Sequence, residues 1–78
     1  PNPFNPTTTL SFALPQKADV SIIIYDIQGR VVTTLINSTM QTGYHKAIWD
    51  ASHHASGLYF VQMIAGEYVN TQKIMLVK

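Results

Sequence analysis

Asp19-Val20-Ser21-Ile22-Ile23-Ile24-Tyr25-Asp26 is the stretch on which the fold turns. A two-residue period puts Val20, Ile22 and Ile24 on one side and Ser21, Ile23 and Tyr25 on the other. Both sides are rich in β-branched or aromatic groups, which suits a strand in the middle of a sheet. Asp26-Ile27-Gln28-Gly29 then reads as a tight turn, with Gly29 supplying a positive φ at little steric cost. Residues 30–35 are expected to return antiparallel as the hairpin partner.

The same period extends outward in both directions. Upstream, residues 7–14 set Leu10, Phe12 and Leu14 on one face and Thr9, Ser11 and Ala13 on the other, until Pro15-Gln16-Lys17-Ala18 breaks the pattern. Downstream, Asn37-Ser38-Thr39 and Gln41-Thr42-Gly43 read as a polar connection. In residues 44–50, His45, Ala47 and Trp49 share one face, and Tyr44, Lys46 and Ile48 share the other. Trp49 is expected to be the largest single block of the core. Residues 51–56 form a second loop, and Gly57 opens a long strand over 58–65 in which Tyr59, Val61 and Met63 oppose Leu58, Phe60, Gln62 and Ile64. Ala65-Gly66-Glu67 is a hairpin turn by composition, and a last strand runs over 68–77. The expectation is an all-β chain, a small antiparallel sandwich of six or seven strands, Ig-like or fibronectin III-like.

Composition narrows the function classes. Seventy-eight residues make one small domain, able to hide only about 60% of the surface that its unfolded chain exposes. A deep catalytic cleft does not fit in it. There is no cysteine, hence neither a disulfide framework nor a thiolate zinc site. Five basic and four acidic residues leave a net charge of +1 spread along the chain, with no basic stripe for nucleic acid. No apolar run reaches the roughly 20 residues of a membrane span. The chain begins with proline and carries no leader, so an export signal is expected upstream. Residues 1–6, Pro-Asn-Pro-Phe-Asn-Pro, read as an extended joint to a preceding domain.

Sites of chemistry are few. His53-His54 with Asp50 is a sensible ligand set for a metal, yet adjacent histidines in a strand-like segment point apart and no further pair closes a tetrahedral site. The segment reads as an exposed polar loop. No nucleophile-elbow sequence is present, and no catalytic residue, metal or cofactor is expected. His45, on the Trp49 face, reads as a half-buried histidine bonded to a carbonyl. Tyr25, Tyr44, Tyr59 and Tyr68 with Trp49 could line a sugar platform, although aromatic residues in strands ordinarily serve packing.

Six segments in order, the Pro1-Asn2-Pro3-Phe4-Asn5-Pro6-Thr7-Thr8-Thr9 start, Leu14-Pro15, Ile24-Tyr25-Asp26-Ile27-Gln28-Gly29-Arg30-Val31-Val32, Gly43-Tyr44-His45 with Trp49-Asp50, Ser56-Gly57-Leu58-Tyr59-Phe60, and Lys73-Ile74-Met75-Leu76-Val77-Lys78, carry a resemblance over essentially the whole chain. It resembles the C-terminal sorting domain of type IX (Por) secretion substrates, and overlaps with the Ig-like domain of flagellar hook-capping proteins. The resemblance implies a small β-sandwich that is not an enzyme and needs no cofactor. It would sit at the end of an exported cargo that folds in the periplasm, be recognised by the outer-membrane translocon, and be removed by a sortase-like peptidase, leaving the cargo secreted or on the cell surface. Carried over by position, Asn2 and Pro3, Gly57 and Tyr59, and Lys73 and Lys78 would be recognition residues, while Tyr25, Asp26, Gly29 and Arg30, with Trp49, would be structural. Ala51 and the short 52–55 segment depart from relatives that have a glycine and a longer loop there, and tilt away from the hook-capping branch. The cargo could be a polysaccharide-degrading enzyme. The alternative function is a structural or carbohydrate-binding accessory module of a secreted glycoside hydrolase.

Overall fold

In the computed structural model, which describes residues 6–78, the period-2 segments become six strands. These are β1 (Thr7–Leu14), β2 (Ala18–Tyr25), β3 (Val31–Met40), β4 (Gly43–Asp50), β5 (Gly57–Ala65) and β6 (Tyr68–Leu76). They form two antiparallel sheets, a pair β1-β4 and a four-stranded sheet in the order β3-β2-β5-β6. The result is the all-β sandwich the sequence implies, with β2 central as its composition required.

The core lies between the sheets and uses the faces picked out by alternation. Leu14, Ala47 and Trp49 from the pair meet Val20, Ile22, Ile24, Tyr59, Val61, Ile74 and Leu76 from the larger sheet, all buried. Leu10, Phe12 and Met63 pack around them. Ile24 is wholly buried, whereas the next residue on the opposite face, Tyr25, is only partly so. One methyl-rich side of β2 is therefore covered by the β1-β4 pair, and among the described residues the other is not.

The third strand corrects the sequence reading. Asn37-Ser38-Thr39, expected in a polar connection, continue β3 and pair with Ser21, Val20 and Asp19. β3 lies at a sheet edge, where polar side chains face water at little cost, and the ladder to β2 outweighs their weak strand propensity. Thr39 Oγ1 donates to Asp19 Oδ1 (2.5 Å), fixing the far end of the pair. The remaining connection is Gln41-Thr42, closed by the Thr42 hydroxyl donating to the Leu14 carbonyl at 2.9 Å. Ala51, placed in an exposed loop by its neighbours, is buried against the core.

Candidate functional site

The register brings most of the motif residues to one pole of the sandwich. Asp50 pairs with Thr7, Tyr25 with Phe60, and Gly57 with Leu76. The β2–β3 turn, the 51–56 loop, the first residues of β5, the end of β6 and the start of β1 therefore meet at that pole. The opposite pole carries Gly43-Tyr44-His45 and Leu14-Pro15, with Gly43 paired to Leu14.

The β2–β3 turn is organised by one carboxylate. Asp26 Oδ1 accepts the amides of Gln28 (2.8 Å) and Arg30 (3.0 Å), and its Oδ2 accepts Arg30 Nε at 2.8 Å. The Gly29 amide donates to the Asp26 carbonyl at 3.0 Å, and φ of Gly29 is +80°, where a Cβ would be strained. The Arg30 amide, then its side chain and the Gln28 amide, stabilise the ionised carboxyl and hold Asp26 below the ordinary carboxylate pKa. Both partners of this pair are solvent-accessible, so it orders the turn more than it stabilises the fold.

Backbone and side-chain bonds tie the 51–56 loop on three sides. Asp50 Oδ1 caps the Ser52 amide (3.0 Å), and this bond lowers the Asp50 pKa. The Ala51 amide donates to the Pro6 carbonyl (2.8 Å), joining the loop to the start of β1. Tyr59, buried, donates its hydroxyl to the Ala55 carbonyl (2.5 Å) and meets Trp49 edge-on at 5.1 Å between ring centroids. His54 lies against the same indole at 5.6 Å. Lys78 closes the third side: its amide donates to Ser56 Oγ (3.2 Å) and its ammonium to the Ser52 carbonyl (2.7 Å).

Each residue singled out in the sequence has a distinct placement. Gly57 begins β5 with φ of +148°, a conformation L side chains rarely adopt, and between it and the β2–β3 turn lies a shallow cavity of about 320 Å³. Tyr59 and Trp49 belong to the core. Lys78 is bound to the loop, whereas Lys73, opposite Phe60, is exposed and has no hydrogen bond or ion pair among the described residues. Asn2 and Pro3 lie outside the described residues. Sequence reading gave no role to Ser52, nor to Ser56 beyond its place in a motif; the Asp50-x-Ser52 spacing signals an Asx turn, but nothing local signals a lysine 26 positions away.

His45 and His54 serve packing and backbone bonding, and His53 is exposed. His45 is half-buried, with Nε2 at 2.7 Å from the Gln41 carbonyl and its ring stacked on Phe12. The five aromatic side chains considered as a sugar platform are dispersed: Trp49 and Tyr59 in the core, Tyr25 on the outer face of the larger sheet, Tyr44 at the opposite pole and Tyr68 beside the β5–β6 turn. Among the described residues no three His, Asp or Glu side chains gather as a metal site.

Comparison with known families places the sequence among sorting signals. The family described as the secretion system C-terminal sorting domain matches residues 1–78, the whole sequence, and it is a family of sorting signals rather than of enzymes. No curated protein and no solved structure matches the chain. With its six motifs in order and its full length matched, the chain belongs to the secretion system C-terminal sorting domain family, whose members mark proteins for export by the type IX (Por) route.

Proposed function

We propose that the domain is read in its folded form by the outer-membrane translocon, with β6 as the strand offered for pairing. The observation that carries this reading is an asymmetry between the two edges of the larger sheet. The β3 edge breaks register with β2 twice, the irregularity by which sheets blunt an edge. The β6 edge runs through nine consecutive pairs with β5 without a break. β6 contains no proline, and its one charge is Lys73. A receptor strand adding there gains main-chain hydrogen bonds, while alternate side chains supply selectivity.

Lys73 and Lys78 take different parts in this reading. Lys73 steers the approach of an acidic partner surface. Lys78 fixes the last residues onto the 51–56 loop, so that β6 is presented in one geometry. Gly57 and Tyr59 act through the fold, the first by its backbone conformation and the second by holding the loop against Trp49. Asn2 and Pro3 belong to the joint with the cargo, which folds in the periplasm; a sortase-like peptidase then cuts at that joint and leaves the cargo secreted or on the surface.

The test is export of a periplasm-directed fluorescent reporter ending in residues 1–78, compared between a type IX-competent host and its translocon mutant. Reporter outside the competent cells and trapped in the mutant supports the reading. Retention in both, with the domain folded, overturns it and favours the accessory-module function, for which pull-down on cellulose, xylan or chitin is the direct check.

A further inference from the structure

Among the described residues, one side of the four-stranded sheet is left uncovered and carries accessible apolar side chains. Because Val20, Ile22 and Ile24 point into the core, Ile23 and Tyr25 point out; the same alternation in β5 and β6 turns Phe60, Ile64, Val69 and Met75 to that side. Tyr25 pairs with Phe60, and Ile64 with Val69, so these side chains form two rows, separated by the row in which Gln62 pairs with Ile23 and Thr71. Val69 is 57% exposed and Met75 41%, and the others are partly so. Four strands at ~4.8 Å and a length of eight residues at ~3.3 Å give a face on the order of 500 Å². Ser21, Gln62 and Thr71 stand on the same face, so only part of that area is apolar; Tyr25, Phe60 and Met75 gather around Lys73, and a grouped set of accessible apolar side chains beside a cation suits contact with a partner.

We infer that this face docks, during recognition, onto an apolar protein surface of the export machinery that carries a carboxylate opposite Lys73. The inference rests on the sorting function proposed above and names a contact that edge pairing alone does not require. Charge selects the occupant. Lys73 projects from β6 beside Phe60 and is unpaired among the described residues. Asp19, at the far end of the face, is already engaged by Thr39. Apolar rows with a single free cation complement an apolar surface bearing an acid. The area is below the ~800 Å² per partner of a stable complex, which suits a signal that must later be released.

The experiment separates face from edge by position. Ile23 lies two strands from β6, a distance of roughly 10 Å, and strand addition at the edge leaves it untouched. Ile23→Glu, Lys73→Glu and Lys73→Arg are compared in the reporter fusion, with Ile48→Glu on the outer side of the β1-β4 pair as control, each variant being checked for cooperative urea unfolding. The expected result is that folded Ile23→Glu and Lys73→Glu lower translocon-dependent export at least ten-fold, while Lys73→Arg and Ile48→Glu export as the parent. Should Ile23→Glu not fold, Ile23→Thr, which keeps a β-branched strand former, replaces it with an expected loss of several-fold. Parental export of the folded face variants overturns the inference and leaves the sorting function standing, including the case in which the native cargo covers the face. Absence of translocon-dependent export of the unmodified fusion overturns both. A dimer of the chain in sedimentation, dissociated by Ile23→Glu, assigns the face to a second copy and also overturns it.

Discussion

Removing the last five residues, 74–78, should unfold this domain rather than merely delete a recognition tail. Ile74 and Leu76 are 3% and 1% exposed and pack in the central cluster, so they are core residues that happen to stand at the chain's end. Truncating one such side chain to alanine costs about 2–5 kcal/mol. A chain of this length has a total stability of roughly 4–12 kcal/mol at ~0.05–0.15 kcal/mol per residue. Losing both side chains, together with the end of the β5–β6 ladder, consumes most or all of that. The single substitution Leu76→Ala should remove about 3 kcal/mol, which at a urea dependence of ~1 kcal/mol/M moves the midpoint down by roughly 3 M. Lys78→Ala loses only an exposed bond to the Ser52 carbonyl and should shift stability by less than about 1 kcal/mol. Trp49 fluorescence and far-UV circular dichroism report the transitions. A chain ending at residue 73 that unfolds cooperatively within 1 M of the parent midpoint would refute the reasoning. The consequence for export assays is direct: loss of export on tail deletion reports folding and recognition together, whereas Lys73 and Lys78 substitutions report recognition.

Other expectations concern single bonds. Thr8 Oγ1 is buried with no hydrogen-bond partner among the described residues, so Thr8→Val, which keeps the β-branched shape, should stabilise by up to about 1–2 kcal/mol in urea melts. Tyr59→Phe deletes the hydroxyl bond to Ala55, whose carbonyl can turn to water, and should cost about 1 kcal/mol while keeping the Trp49 contact and the export signal. Gly29→Ala forces a Cβ into positive φ with open space around it; the cost is backbone strain alone, about 1–2 kcal/mol by the same melts, and Gly29→Asn should cost less. The lowered pKa of Asp26 means that its contribution is fully present above the unfolded carboxylate pKa and is lost as pH falls through the folded one. An NMR titration should place its midpoint below the ordinary carboxylate range, and Asp26→Asn should remove that acid dependence at the turn.

Alternation decided much of the architecture before any coordinates. A strand's side chains must point to opposite sides, so Leu10, Phe12 and Leu14, Val20, Ile22 and Ile24, and Ala47 and Trp49 announced their core faces locally. Asp26 and Gly29 likewise announced their turn, because a carboxylate two to four residues before unsatisfied amides and a glycine at positive φ are local requirements. The extent of β3 was not legible: Asn37-Ser38-Thr39 have loop composition, and only pairing with β2, a contact between distant positions, makes them strand. Nor was the motif-bearing pole, since the Lys78 clamp on Ser52 and the Pro6 bond to Ala51 join residues far apart in sequence, at one end of sheets whose order the sequence does not state. The two-sided apolar pattern of β2 told that both faces seek cover. Only the tertiary structure decided that the chain covers one of them, because a two-stranded sheet lies against one side of β2 and no third layer stands on the other among the described residues. Sequence fixes the periodicity of each strand because that depends on neighbouring residues; which strands meet, and which face is left for a partner, depends on contacts made across the whole chain.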